Sequence, residues 1–152
     1  MDKLVKICSE KGLRISVAES CTGGLVCSAI TSVPGSSLVF DRGFITYSPE
    51  SKTELLNVPE SLIKDKGTVS KEVVTEMAIG AIKNSNADIA ISITGIAGPG
   101  GEADKPVGLV YFGLFHDGKV KNFKKIFPGD RAGVRSLATD FALELLLEVA
   151  GS

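Results

Sequence analysis

Three side chains able to act as nucleophiles stand in a row at Ser20-Cys21-Thr22, followed by Gly23-Gly24. They lie where a short apolar run, residues 15–18, gives way to the helical spacing of Leu25, Val26, Ala29 and Ile30. A strand that ends where a helix begins leaves the first-turn N–H groups unpaired, a place suited to an anion or an oxyanion. Plain helix capping by Ser20 or Thr22 accounts for the same residues. A serine nucleophile needs a base, and the single histidine, His116, abuts the hairpin signal Asp117-Gly118 and reads as a surface residue. A lysine serves instead when burial or neighbouring positive charge lowers its pKa. Lys52 falls in the first turn of an expected helix, where the helix dipole disfavours its protonated form. Lys64, three residues after Ser61, has S-x-x-K spacing without the accompanying elements and reads as a solvated helix residue. Cys21 is the rival nucleophile, since a helix N-terminus favours a thiolate. Taken alone, the corner does not choose among Ser20, Cys21 and Thr22.

A second corner lies at residues 95–101, the most glycine-dense stretch of the chain. It follows the apolar run 89–94 and could cradle a phosphate on backbone N–H groups. It has neither Walker A spacing nor the full G-x-G-x-x-G fingerprint, so a surface loop is an equal reading.

The remaining pattern supplies the elements that must position these corners. Residues 2–11 have helical spacing with Gly12 as C-cap, and residues 38–46 read as a strand after the breaker cluster 33–37. Ser48-Pro49 opens a helix over about 50–56, Pro59 opens a short one ending near Gly67, and Ser70 caps a stronger one over 71–83. Residues 109–115 and 120–127 form a hairpin around Asp117-Gly118. A long helix over 134–149 closes the chain, with Leu137, Phe141, Leu145 and Val149 along its apolar stripe, and Arg131 precedes it in a loop. Helices alternating with apolar strands predict an α/β fold, a three-layer α/β/α sandwich on a mixed, mostly parallel sheet of about five strands. Ligands bind outside the carboxyl ends of strands in such sheets, and Ser20 and Thr94 both fall at such ends. The two glycine-rich corners therefore read as parts of one site.

Bulk properties narrow the function class. The 152 residues fit one domain (1–152), with 43% hydrophobic residues but no apolar run near the ~20 a bilayer requires and no charged-then-apolar leader. No membrane partner is expected, and a cytoplasmic location follows. A net charge of -1 and Lys and Arg not gathered into a block argue against nucleic acid as partner. Cys8, Cys21 and Cys27 lack CxxC spacing, so neither a disulfide framework nor a metal site is expected.

The segments Ala18-Glu19-Ser20-Cys21-Thr22-Gly23-Gly24, Gly35-Ser36-Ser37, Arg42-Gly43-Phe44-Ile45-Thr46-Tyr47-Ser48 with Lys52, Gly67-Thr68-Val69-Ser70, Ser92-Ile93-Thr94-Gly95-Ile96-Ala97-Gly98-Pro99-Gly100-Gly101, Lys105-Pro106-Val107-Gly108 and Phe127-Pro128-Gly129-Asp130-Arg131 occur in order along nearly the whole chain. Together they resemble the CinA C-terminal domain family, whose enzymes are nicotinamide-nucleotide amidases, here in a form without the N-terminal domain of full-length members. The resemblance implies hydrolysis of the carboxamide of nicotinamide mononucleotide, a small-molecule substrate, to nicotinic acid mononucleotide and ammonia, in pyridine-nucleotide salvage and with no cofactor. It implies Ser20 and Lys52 as catalytic pair. Thr22, Gly23, Ser37, Tyr47, Thr94, Gly95 and Arg131 are then the binding or supporting residues. On physical grounds, the N–H groups of the Cys21 to Gly24 turn are the candidate oxyanion donors. The resemblance leaves a homo-oligomer open. The alternative is a nucleotide-binding or regulatory module of the same fold without catalysis.

Overall fold

The computed structural model describes residues 1–102 and 104–152. The chain runs α1 (Asp2–Lys11), β1 (Ile15–Glu19), α2 (Leu25–Thr31), a 3-10 turn (Ser36–Leu38), β2 (Phe40–Ile45), α3 (Pro49–Leu56), α4 (Glu60–Lys66) and α5 (Lys71–Lys83). It continues through β3 (Ile89–Gly95), β4 (Leu109–His116), β5 (Lys119–Ile126) and α6 (Arg131–Gly151). The five strands form one sheet in the order β2-β1-β3-β4-β5. β1 pairs in parallel with β2 and β3, while β3–β4 and β4–β5 are antiparallel, so β4 alone runs against the others. The α/β/α sandwich predicted from the alternation of elements is the observed fold.

Strand alternation sorts the two faces. Ile15 and Val17 of β1, Ile89, Ile91 and Ile93 of β3, and Val110, Phe112 and Leu114 of β4 point into a core shared with α1, α2 and α6. Within it Phe112 meets Phe141 of α6 edge-on, ring centroids 4.9 Å apart, a geometry that contributes about 1 kcal/mol beyond burial. On the opposite face the same strands show small residues: Ala18, Ala90, Ser92 and Gly113 lie under α5. Ser92 Oγ donates to the Val74 carbonyl at 2.6 Å, and a Cβ on Gly113 would come within 2.7 Å of that carbonyl. The small residues therefore let α5 lie close against the sheet.

α3 is carried on α5 by a second close approach. Gly80 of α5 faces the backbone of Leu56, the last residue of α3, and a Cβ there would sit 2.9 Å from Leu56 Cα and 2.8 Å from its carbonyl carbon. Ser48 caps α3 by accepting from Ser51 N–H at 3.2 Å, with Pro49 in the first turn. The expected cap at Ser70 is also present, accepting from Val73 N–H.

Three sequence expectations shift. The strand read over 38–46 begins only at Phe40, because residues 36–38 close a 3-10 turn on Gly35. α6 starts three residues earlier than read, at Arg131, because Asp130 accepts from Gly133 N–H at 2.9 Å as N-cap. Its buried face runs through Val134, Ala138, Ala142, Leu145, Leu146 and Ala150, which leaves Leu137 at 39% exposure. No helix among the described residues is long and apolar enough to cross a membrane.

Gly80→Ala should run against helix propensity. Alanine is worth up to about 1 kcal/mol over glycine in an open helix, yet here the methyl overpacks against the α3 backbone at a cost of about 1–3 kcal/mol. Thermal unfolding should show a Tm drop of several degrees, and an unchanged or raised Tm would contradict the packing described.

Candidate functional site

The site forms where β1, β2 and β3 end. Ser20 follows β1 directly, its N–H donating to the Ile93 carbonyl of β3 at 3.1 Å, so the sheet itself fixes the start of the turn. Gly23 N–H closes that turn on the Ser20 carbonyl at 3.1 Å. Positive φ occurs at Gly23 (57°) and not at Cys21 or Thr22, the pattern of a type I turn with glycine last.

The helix N-terminus after this turn is not an open anion site. Glu19, fully buried, accepts from the N–H groups of Gly24 at 3.0 Å, Val26 at 3.2 Å and Cys27 at 2.9 Å. Its carboxylate meets the positive end of α2 and takes the donors expected for an external anion. Neither Ser20 nor Thr22 caps the helix. Of the four amides from Cys21 to Gly24, those of Gly23 and Gly24 are thus taken, and those of Cys21 and Thr22 have no acceptor among the described residues.

Lys52 comes to Ser20 from α3. Its Nζ lies 3.0 Å from Ser20 Oγ and donates to the Thr46 carbonyl at 2.5 Å, while Thr46 N–H pairs with the Glu19 carbonyl at 2.8 Å. The side chain is 1% exposed, the largest fully buried side chain among the described residues. Burial pushes its pKa down from 10.5 to about 8. The dipole argument pointed the same way, but loss of water is the cause. When the amine is neutral the Ser20 hydroxyl donates to its lone pair, and when charged the ammonium donates to Ser20 Oγ.

Cys21 lies beside this pair, and burial pushes its thiol up to about 11. It is therefore protonated at neutral pH, contrary to the low-pKa thiol that a helix N-terminus would give. Burial and the Glu19 carboxylate raise Cys27 as well.

A cavity of about 280 Å³ opens over Ser20 and Lys52. Cys21, Tyr47 and Pro49 line it from the β1 and β2 ends, Thr68 and Val69 from the loop before α5, Thr94, Gly95 and Ala97 from the end of β3, and Glu102 and Arg131 from its rim. Thr94 is buried and its hydroxyl donates to the Thr68 carbonyl at 2.9 Å, joining two walls. Arg131 Nη1 donates to the Gly98 carbonyl at 2.7 Å and Nη2 to Tyr47 Oη at 2.9 Å. The glycine-rich corner and the Ser20 corner do belong to one pocket.

Three expected residues stand elsewhere. Ser37 is exposed on the 3-10 turn preceding β2, at the end of the sheet opposite the cavity, so it does not line this site. Thr22 is fully buried behind the turn with its hydroxyl unpartnered among the described residues, and Gly23 is exposed outside the cavity. These two shape the turn and do not face the pocket. His116 lies at the β4–β5 hairpin, its Nδ1 3.5 Å from Asp117, and Lys64 is exposed and paired with Glu60 at 2.9 Å.

Sequence reasoning missed the capping carboxylate of Glu19, the Thr46 and Thr68 carbonyls, and Arg135. Arg135 Nε donates to the Cys21 carbonyl at 3.0 Å and Nη2 to the Thr22 carbonyl at 3.3 Å. Its signal was the i,i+4 spacing from Arg131, visible only once α6 starts at Arg131.

The family model described as CinA C-terminal domain matches residues 1–150. Nicotinamide-nucleotide amidohydrolase PncC of Enterobacter agglomerans is 52% identical over 139 residues, covering 90% of this chain and 85% of that protein. A Caldicellulosiruptor bescii protein named for competence and damage induction is 51% identical over 144 residues, covering 94% of this chain but 35% of that one, so the chain spans about a third of that relative's length. A crystal structure of a CinA superfamily protein from Klebsiella pneumoniae superimposes with a TM-score of 0.95 at 34% identity, over 99% of this chain and 94% of that one. By sequence and by fold, the chain belongs to the CinA C-terminal domain family.

Proposed function

We propose that this domain is an amidohydrolase that removes ammonia from the carboxamide of nicotinamide mononucleotide, with Ser20 as nucleophile and Lys52 as base. The observation that carries this is the fully buried Lys52 amine 3.0 Å from Ser20 Oγ at the floor of the cavity. With its pKa lowered to about 8, the amine has a neutral fraction near pH 7 that accepts the hydroxyl proton as the oxygen attacks the amide carbon. The Lys52 ammonium then delivers that proton to the departing nitrogen, ammonia leaves, and an acyl ester remains on Ser20. Water adds to the ester with Lys52 again taking the proton, and its return to Ser20 Oγ releases nicotinic acid mononucleotide. The free N–H groups of Cys21 and Thr22 are the donors for the tetrahedral oxyanion, each worth a few kcal/mol of barrier in comparable sites.

The choice of substrate draws on the relative from Enterobacter agglomerans, named nicotinamide-nucleotide amidohydrolase, which this chain matches over 85% of its length. Arg131 supplies a cation with N–H donors to spare beyond Gly98 and Tyr47, suited to the substrate's phosphate. Such a reaction belongs to cytoplasmic pyridine-nucleotide salvage. A regulatory module without catalysis would have no use for a buried lysine at its cavity floor, since burying an ammonium opposes folding.

Ser20→Ala should abolish ammonia release from nicotinamide mononucleotide, while iodoacetamide, facing a protonated and buried Cys21, should leave the wild type active. The reverse pattern would transfer the nucleophile to Cys21. Lys52→Met should lower kcat by about 10³-fold or more, the loss of a general base compounded by loss of nucleophile activation. It should leave Tm at pH 7 unchanged or raised, because it removes a buried charge; activity within tenfold of wild type would remove Lys52 from the role. The kcat/KM profile of the wild type should rise with pH through a limb near 8, since only neutral Lys52 accepts the proton. A profile flat from pH 6 to 9 would contradict the lysine base.

A further inference from the structure

Arg135 grips the nucleophile's turn from the side away from substrate. It is half-buried on the first turns of α6, does not line the cavity, and spends its guanidinium on the carbonyls of Cys21 and Thr22. A trans peptide sets its C=O and N–H antiparallel, so a guanidinium fixing the Cys21 carbonyl turns the Thr22 N–H to the opposite side. That N–H has no acceptor among the described residues. In a type I turn the amide of the third residue falls on the side that the first residue's side chain reaches. The first residue here is Ser20.

We propose that Arg135 is the positioning residue of the oxyanion hole: it orients and polarises the Cys21–Thr22 peptide so that the Thr22 N–H, beside the Cys21 N–H, meets the oxygen made negative when Ser20 adds to the substrate. The inference rests on the amidase reading of the site. The neighbouring amides are fully committed, Gly23 to the Ser20 carbonyl and Gly24 to Glu19, so no other donor of this turn can take that part. Arg131, one helical turn earlier, reaches the cavity itself. Two arginines on one face of α6 thus divide between the ligand and the backbone that reacts with it. A cation on the Cys21 carbonyl also strengthens the Thr22 N–H as a donor, through polarisation of the shared peptide.

The test compares wild type with Arg135→Met and Arg135→Lys in the full chain. It measures ammonia release from nicotinamide mononucleotide across pH, and the rate at which a fluorophosphonate probe labels Ser20, read by mass spectrometry. Arg135→Met should lower kcat on the order of 10²-fold with KM within about threefold, the acid limb of the pH profile unmoved, and labelling slowed by a similar factor. Arg135→Lys, keeping one cation but not the fork, should recover part of both losses at a Tm near that of wild type. A kcat within about threefold of wild type, a loss confined to KM, or a displaced acid limb would overturn the proposal, the last because Arg135 would then act through Lys52. If wild-type Ser20 is labelled but the mononucleotide yields no ammonia, the substrate reading fails, and the labelling ratio still decides the role of Arg135.

Discussion

The constraint on which the site depends is that a lysine amine must stay out of water. Lys52 is held there by two oxygens, Ser20 Oγ and the Thr46 carbonyl, and each is placed by strand pairing: Ser20 by its bond to Ile93 of β3, Thr46 by its bond to Glu19 of β1. The stem of the lysine comes from α3, which reaches this depth because Gly80 lets its last turn rest on α5. Burial of the ammonium opposes folding by an amount on the order of 3 kcal/mol, the depression from 10.5 to about 8 expressed as free energy. Between those two pH values the unfolded chain binds more protons than the folded one, so stability from this residue rises with pH across the window and the penalty is full below it. The same desolvation makes the amine a usable base, an instance of strain concentrated where chemistry occurs.

Two further charges arrange the backbone around that amine. Glu19 turns its carboxylate away from the cavity and satisfies three amides at the start of α2, which removes the helix end from any contest for a substrate anion. Arg135 satisfies two carbonyls on the other side of the same turn. Between them the Cys21 and Thr22 amides of the turn are left without an acceptor among the described residues, next to Ser20. The arginine lining the cavity is Arg131 at the rim, joined to Tyr47 and to the Gly98 carbonyl of the glycine-rich loop. The arginine open to the cavity is in this way separate from the charges that hold the Ser20 turn in place.

Much of this was legible in the sequence because it rests on local signals. The strand runs, the Asp117-Gly118 hairpin and the caps at Ser48 and Ser70 each show in a few adjacent residues, and the carboxyl-end rule then brought Ser20 and Thr94 together. Ser37 shows the limit: proximity in a family pattern says nothing of which end of a strand a residue occupies, and the 3-10 turn puts it at the far end. Glu19 was hidden because a carboxylate capping amides five to eight residues ahead has no fixed spacing, and it depends on the turn between. Arg135 was hidden because Asp130 capping had not been read, so α6 began too late for Arg131 and Arg135 to share a face. Carbonyl acceptors such as Thr46 and Thr68 carry no residue-type signal at all.

The central claim is that burial in the folded protein brings the pKa of Lys52 down to about 8, and a direct titration of that amine tests it. Carbon-13 label at lysine Cε, with the Lys52 signal assigned through Lys52→Met, reports its protonation by chemical shift as pH is raised. A midpoint near 8 is the predicted result. A Lys52 signal with its midpoint at the ordinary value of 10.5 would contradict the account.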